Sequence, residues 1–349
     1  MNKILYGLFS LLLVGIFATN LHAGNPDRQG EAGAYELLMI PYAKLAGLHA
    51  MTTSMVSGVE AIRLNVAGMG RINRTEVSIS NGRYLEGTGI NMNAFGLAQK
   101  VGTNGTFGFS IMALDFGDIA VTTTEQPEGT GATFSPNFFN MGLSYAHTFE
   151  NKVSVGITLR GVSESTADIS AFAFAVDAGV QYVTGENDEF KFGISLRNVG
   201  SRMRFGGEGL SQLRPAPSDQ YELTYSTRPA DFELPSLLNI GVSYDFLIGE
   251  KNRITALGNF TANSFSQDQV GGGLEYSLNE MFQLRAGYKY EFGSEEELTA
   301  PIYTGLSAGA TISVPLSKEN KETRFSIDYA YRTTKVWNGT HNIGIRFNL

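Results

Sequence analysis

The chain has 349 residues, of which 42 % are hydrophobic and only 17 % charged, with a net charge of −8. That balance offers no basic field to hold nucleic acid. The absence of cysteine excludes a disulfide framework and any thiolate metal centre.

The chain holds 41 glycines, 23 phenylalanines and 15 tyrosines. In a charge-poor chain this suits strands with one face in lipid. No internal stretch approaches the roughly 18 consecutive apolar residues of a membrane helix. A span therefore has to be a closed β-barrel, because only helices and closed barrels satisfy every backbone group in hydrocarbon.

The first element is an export signal over 1–23. Lys3 gives the positive start, residues 4–19 are apolar, and Leu21-His22-Ala23 fits small-residue cleavage before Gly24. Residues 24–73 differ from the rest. Leu37, Leu38, Leu45, Leu48, Met51, Met55, Val59 and Ile62 fall near helical spacing, with Pro41 as an interruption. One or two short helices are expected there, forming a plug whose Glu36, Lys44, Glu60 and Arg63 pair with charges on a barrel wall.

From 74 to 349 the period changes to two. Phe282, Leu284, Ala286, Tyr288, Tyr290 and Phe292 alternate with Gln283, Arg285, Gly287, Lys289 and Glu291. Similar series run through Val153–Leu159, Phe325–Tyr331 and Ile343–Leu349. Only a pleated strand puts such a series on one face. About fourteen strands are expected, starting near Arg74, Thr88, Gly105, Asn137, Lys152, Ile169, Glu189, Ser236, Asn252, Val270, Glu280, Tyr303, Thr323 and Gly339. The fold class is thus all-β: a transmembrane antiparallel barrel with a short N-terminal helical plug. The two longest connections, 116–136 and 200–235, are both odd-numbered, whereas the even ones are mostly short turns. Outer-membrane barrels have short periplasmic turns and long outer loops, so with an even strand count both termini of the barrel domain lie in the periplasm. Residues 221–227 alternate too and are assigned to the long loop.

No catalytic constellation emerges. His22 leaves with the signal, and His49, His147 and His341 lack a Ser or acid partner at usable spacing on one strand. His147 is in phase with Tyr145 and faces lipid. Neither a metal nor a cofactor is expected; Glu295-Glu296-Glu297 reads as a solvated loop before it reads as a calcium site. The polar strand faces carry Arg160, Asp177, Lys191, Arg197, Asp245, Glu275, Arg285, Lys289, Asp328, Arg332 and Arg346. Arg160, Asp177, Arg197, Asp245, Arg285, Lys289, Asp328 and Arg346 are the candidates for a lumen network of mixed charge, which argues against a strongly ion-selective pore. The long loops offer Asp115, Asp118, Glu125, Phe134, Arg202, Arg204, Phe205, Arg214 and Arg228 for binding a partner.

A resemblance follows from particular stretches. Ala113-Leu114-Asp115-Phe116-Gly117-Asp118-Ile119, then Gly142-Leu143-Ser144-Tyr145-Ala146 and Ser195-Leu196-Arg197-Asn198-Val199-Gly200, resemble the PorV/PorQ family of FadL-like barrels of Bacteroidetes-type bacteria. Gly58-Val59-Glu60-Ala61-Ile62 and Asn65-Val66-Ala67-Gly68-Met69 extend the match. Leu64, Val66 and Met69 depart from its usual Trp, Pro and Leu. The resemblance implies a fourteen-stranded plugged barrel in the outer membrane, in contact with its lipids and lipopolysaccharide. It also implies work with type IX secretion components or cargo proteins. The leading expectation is a non-enzymatic accessory or adaptor for protein secretion or surface attachment. The alternative is a FadL-like passive channel for hydrophobic small molecules.

Overall fold

The protein is seen in a computed structural model that describes residues 24–150, 152–217, 221–249, 251–293, 300–317 and 322–349. The signal segment and Glu295-Glu296-Glu297 lie outside the described residues.

Fourteen strands form one closed barrel. In chain order they are β1 (Thr75–Arg83), β2 (Asn91–Val101), β3 (Gly105–Asp115), β4 (Asn137–Thr148), β5 (Val153–Thr166), β6 (Ile169–Thr184) and β7 (Phe190–Gly200). They continue as β8 (Leu237–Ile248), β9 (Asn252–Asn263), β10 (Gln269–Leu278), β11 (Phe282–Glu291), β12 (Tyr303–Pro315), β13 (Arg324–Thr334) and β14 (Thr340–Asn348). Each pairs antiparallel with its sequence neighbour, and β1 closes on β14 through Ile79 opposite Ile345. Closure leaves no free edge, as hydrocarbon requires. The ladder shifts register between Val176 and Ala178 on β6 against β7, and between Tyr303 and Ser307 on β12 against β13.

The pleat sorts the side chains. On β11, Phe282, Leu284 and Tyr288 are exposed while Gln283 and Arg285 are buried. Leu143, Leu159, Phe174, Leu274, Ile327 and Ile343 are likewise exposed on neighbouring strands. Large apolar side chains around the whole outside far exceed the patch a water-soluble surface carries. That belt is the lipid-facing side of a membrane barrel.

Inside sits the plug, with a one-turn helix α1 (Ala43–Ala46), a second α2 (Ala61–Leu64), and 3-10 turns at Tyr35–Leu38 and Val66–Arg71. Its Leu45, Val59, Ile62, Leu64, Val66 and Met69 pack with wall residues Ala94, Ala98, Ala146 and Ala330 in one core. Glycines on the wall make this possible. A Cβ at Gly193 would stand 2.4 Å from the Thr53 carbonyl oxygen, at Gly156 2.8 Å from the Val66 carbonyl carbon, and at Gly108 2.2 Å from Met69 Sδ. Gly96 on β2, Gly179 on β6 and Gly271 on β10 meet the plug as closely. Much of the glycine richness thus serves the plug's close approach as well as the strands' lipid setting.

The long loops contain strands of their own. Residues 221–227, which alternate and fall in the long loop as expected, supply one arm of a hairpin pairing Ser211–Pro215 with Glu222–Ser226. The other long loop folds back through Ile119 opposite Phe134.

Candidate functional site

The lumen has two layers of different chemistry. The inner half is a belt of paired charges on the wall. Lys191 pairs with Asp245, and Asp245 takes a hydrogen bond from Thr255 at 2.6 Å. Arg253 bridges Asp245 at 3.7 Å to Glu275 at 3.7 Å, and Glu275 meets Arg285 at 3.1 Å. Arg285 donates to Thr311 at 2.7 Å, Thr311 to Asp328, and Asp328 pairs with Arg346 at 3.7 Å. These contacts run unbroken from β7 to β14. A separate pair, Arg160 and Asp177 at 2.6 Å, completes the other side, and Arg160 also holds the Ile62 carbonyl of the plug at 3.1 Å. Buried charges persist only when matched this way.

The plug's own polar groups meet the wall charges only in part. Glu60 accepts the Leu45 N–H at 3.1 Å, and Lys44 shares a small cavity with Glu60 and Glu275. Arg63 donates to Asn140 Oδ1 at 2.8 Å and to the carbonyls of Glu36 and Met39. The wall charges are satisfied mainly by one another, so the plug seats through backbone and amide hydrogen bonds. Asn65 is the clearest case, donating to Thr53 O at 2.9 Å and Val180 O at 3.1 Å.

The outer half holds a cavity of about 210 Å³ lined by Leu38, Ile40, His49, Leu64, Arg197, Asn239, Lys289, Glu291, Tyr303 and Arg332 among others. Three cations face one carboxylate there. Burial first, then the nearby cations, pushes His49 well below the usual histidine range, so its ring is neutral. Arg197 Nε and both Nε and Nη2 of Arg332 are buried with no acceptor among the described residues. Buried donors of this kind are costly unless a guest accepts from them.

Beside it at the same end of the barrel, mostly against β1–β5, lies a second and more open cavity of about 490 Å³, the outer one. Its wall is apolar and aromatic: Tyr35, Met39, Tyr84, Ile90, Leu114, Phe116, Phe138, Phe205 and Phe232. Phe116 meets Phe138 at 4.9 Å and Phe205 meets Phe232 at 5.8 Å between ring centres. Glu36 and Glu164 form its polar floor. Burial and, second, the charge of Glu164 raise the Glu36 carboxyl above the usual carboxylate range.

One stretch of plug separates the cavities. Leu38 and Ile40 line the inner one and Met39 lines the outer one. Met39 is extended (φ −70°, ψ 148°) and follows directly on the 3-10 turn that ends at Leu38. Side-chain donors fix this partition: Arg63 holds the Glu36 and Met39 carbonyls, Arg197 the Leu37 carbonyl at 3.2 Å, and Asn342 those of Ile40 at 3.2 Å and Pro41 at 2.9 Å.

The structure divides the residues singled out from sequence. Of the lumen set, Asp245, Arg285, Asp328 and Arg346 join the inner belt, Arg160 and Asp177 pair across from it, and Arg197 and Lys289 line the inner cavity. Of the loop set, Asp118, Glu125 and Arg228 are exposed, and Phe134 is half-buried in its short hairpin. Asp115 accepts the Gly117 N–H at 2.9 Å. Arg202 pairs with Glu233 at 3.4 Å, Arg204 with Asp231, and Arg214 bonds Gln212 at 3.0 Å, so these arginines knit the loop. Phe205, read from sequence as part of an outward surface, turns into the outer cavity. Sequence reasoning missed Glu36 with Glu164, Met39 as partition, and the aromatic cup. The aromatic residues around Phe116 and Phe138 were the only local signal.

A closed barrel with an apolar belt, short turns at one end and a packed plug defines a transmembrane β-barrel of the outer-membrane type. Its fold is FadL-like. It is similar to a FadL homologue of Pseudomonas aeruginosa, with TM-score 0.54 and 12 % identity over 88 % of this chain and 98 % of that one. It is similar to the toluene transporter TodX of Pseudomonas putida, with TM-score 0.53 and 12 % identity over 88 % and 97 %. The toluene transporter TbuX of Ralstonia pickettii gives TM-score 0.52 and 12 % identity over 87 % and 98 %. No protein-family model and no curated protein matches the chain. At such identities the likeness is one of fold.

Proposed function

We propose that the protein is an outer-membrane channel for hydrophobic small molecules, which enter the aromatic outer cavity and reach the inner one when the partition moves. The observation that carries this reading is the partition itself: one stretch, Leu38 to Ile40, with an apolar cup on one side and a cavity on the other. The cup gives an apolar guest its driving force, roughly 25 cal/mol per Å² of guest surface removed from water. The unsatisfied donors of Arg197 and Arg332 select for a guest with a hydrogen-bond acceptor or anionic head. The toluene transporters among the solved structures of like fold support the same class of cargo. Export with removal of residues 1–23, and contact with outer-membrane lipids and lipopolysaccharide, belong to this reading.

Secretion adaptor, the leading expectation from sequence, becomes the second reading. It is favoured by one feature, the loop hairpin whose Leu213, Leu223 and Tyr225 stand exposed. In the PorV/PorQ-like version that hairpin binds type IX components or cargo.

Uptake of a fatty acid, an apolar guest with an anionic head, into cells expressing the protein separates the two. Wild type should speed uptake, and Met39→Trp, which fills the cup at the partition, should bring it down to the level of cells without the protein. Wild-type uptake equal to that of empty cells, with secreted proteins recovered on the purified barrel, would reverse the order of the readings.

A further inference from the structure

We propose that cleavage between Ala23 and Gly24 creates the group that docks the plug at the outer rim: the Gly24 α-ammonium, ion-paired with the buried carboxylate of Asp268. This goes beyond the channel reading and rests on one part of it, the removal of residues 1–23, not on transport.

The geometry is specific. The Gly24 nitrogen lies 2.8 Å from Asp268 Oδ2, and Asp268 Oδ1 accepts the Asn263 N–H at 3.2 Å. Asp268 is only 3 % exposed. The seat admits no side chain, since a Cβ on Gly24 would stand 2.7 Å from Asp268 Oδ1, 2.8 Å from the Ser266 carbonyl and 3.0 Å from the Asp268 nitrogen. The next residues are pinned beside it. Asn25 N–H donates to Asn263 O at 3.3 Å, the Arg28 guanidinium lies 4.2 Å from the Phe265 ring centre, and Arg28 reaches Glu233 at 3.4 Å. The strap so held forms one wall of the outer cavity through Gly30, Ala32 and Gly33.

Position supplies the second argument. The turn carrying Asp268 joins β9 to β10 at the same end as the long loops, opposite the end where β1 begins. A signal peptide is removed in the mature protein, so the group presented to Asp268 at that end is a new amino terminus. The reaction is hydrolysis by a signal peptidase. Water adds across the Ala23–Gly24 peptide bond, its OH going to the Ala23 carbonyl carbon and its H to the Gly24 nitrogen. The free amine then takes up a proton. One amide N–H becomes a cationic group with three donors beside a buried carboxylate, the pairing that low-dielectric burial favours.

The test uses protein extracted from outer membranes in mild detergent. Intact mass and N-terminal sequencing should show a chain starting at Gly24. Acetylation of the α-amine is then followed by peptide mass spectrometry from pH 6 to 10. A free α-amine titrates near 7.7–8.0, and pairing with a carboxylate raises it. The wild-type labelling midpoint should lie about one pH unit above that of Asp268→Asn, with labelling at pH 7 about tenfold slower. Gly24→Ala, which leaves every strand untouched, should lose the protection as Asp268→Asn does, so the answer does not hang on one variant folding. Heat-modifiability on gels verifies each barrel. A chain starting at another residue, or identical labelling profiles for wild type and both variants in intact barrels, would overturn the proposal.

Discussion

Gly193→Ala is the sharpest probe of how the plug is held. The added methyl would lie 2.4 Å from the Thr53 carbonyl oxygen, 2.8 Å from Ser54 Cα and 2.9 Å from the Thr53 carbonyl carbon. All three are backbone atoms, so no side chain can swing away, and the plug has to retreat by roughly 1 Å to reach ordinary contact. That carbonyl accepts hydrogen bonds from Asn65 at 2.9 Å and Gln181 at 3.1 Å, and Ser54 Oγ bonds Ser243 Oγ at 3.0 Å. Three buried bonds at about 1 kcal/mol net each give about 3 kcal/mol against the seated plug, before any strain is added. At 1.4 kcal/mol per decade, the displaced population rises about 150-fold. The barrel itself should survive, because Gly193 keeps its pairing with Gly241 on β8. Planar-bilayer conductance should rise, and trypsin should cut after Arg63 in detergent-solubilised protein. Gly258→Ala is the control, since its Cβ would meet nothing closer than 3.9 Å. A Gly193→Ala variant as silent and protease-resistant as wild type would refute the claim that these glycines seat the plug.

Leu274→Arg, 57 % exposed near the middle of β10, should lose heat-modifiable barrel, because a cation near the bilayer midplane costs about 2–4 kcal/mol. Normal assembly of that variant would contradict the lipid-face assignment. Plug seating should weaken with rising pH: Glu36 is raised from 4.5 to about 8, first by burial and then by Glu164. An acid that binds its proton more tightly when folded costs nothing below the lower value, and its penalty grows until the upper one. Glu36→Gln should flatten the pH dependence of plug proteolysis between pH 5 and 8.5, and an unchanged slope would remove Glu36 from the account. Cysteines placed at Thr130 and Leu213 should react with an impermeant thiol reagent on intact cells; reaction only after lysis would turn the barrel over.

The fold was legible in the residues because its main signal is local. Alternation at period two follows from the pleat, so Leu284 and Gln283 could be sent to opposite faces without knowing any neighbour. Connection length then distinguished the two ends, and the strand count closed at fourteen. The plug was visible only as a break in that period, which is why its existence could be read and its contacts could not. Pairing of Glu36, Lys44, Glu60 and Arg63 with wall charges was a reasonable expectation for buried ions. Yet Arg63 is 77 residues from Asn140, and Asn342 is 302 from the Ile40 carbonyl it holds. Separations of that size carry no periodic trace.

The amino-acid order alone determined the lipid-facing series, the mixed charge of the wall and the two long loops, because each is a property of a strand or of the gap between strands. Tertiary structure alone decided which charges meet, why so many wall positions are glycine, and that an aromatic cup exists at all. The strand faces lining the lumen are polar, so reading them one by one favours a sealed interior. The apolar cavity instead arises where Tyr84, Phe116, Phe138, Phe205 and Phe232, drawn from strand ends and loops, converge on Met39 of the plug. A cavity is a relation among distant segments, and only closing the barrel around its own N-terminal chain brings those segments within van der Waals reach.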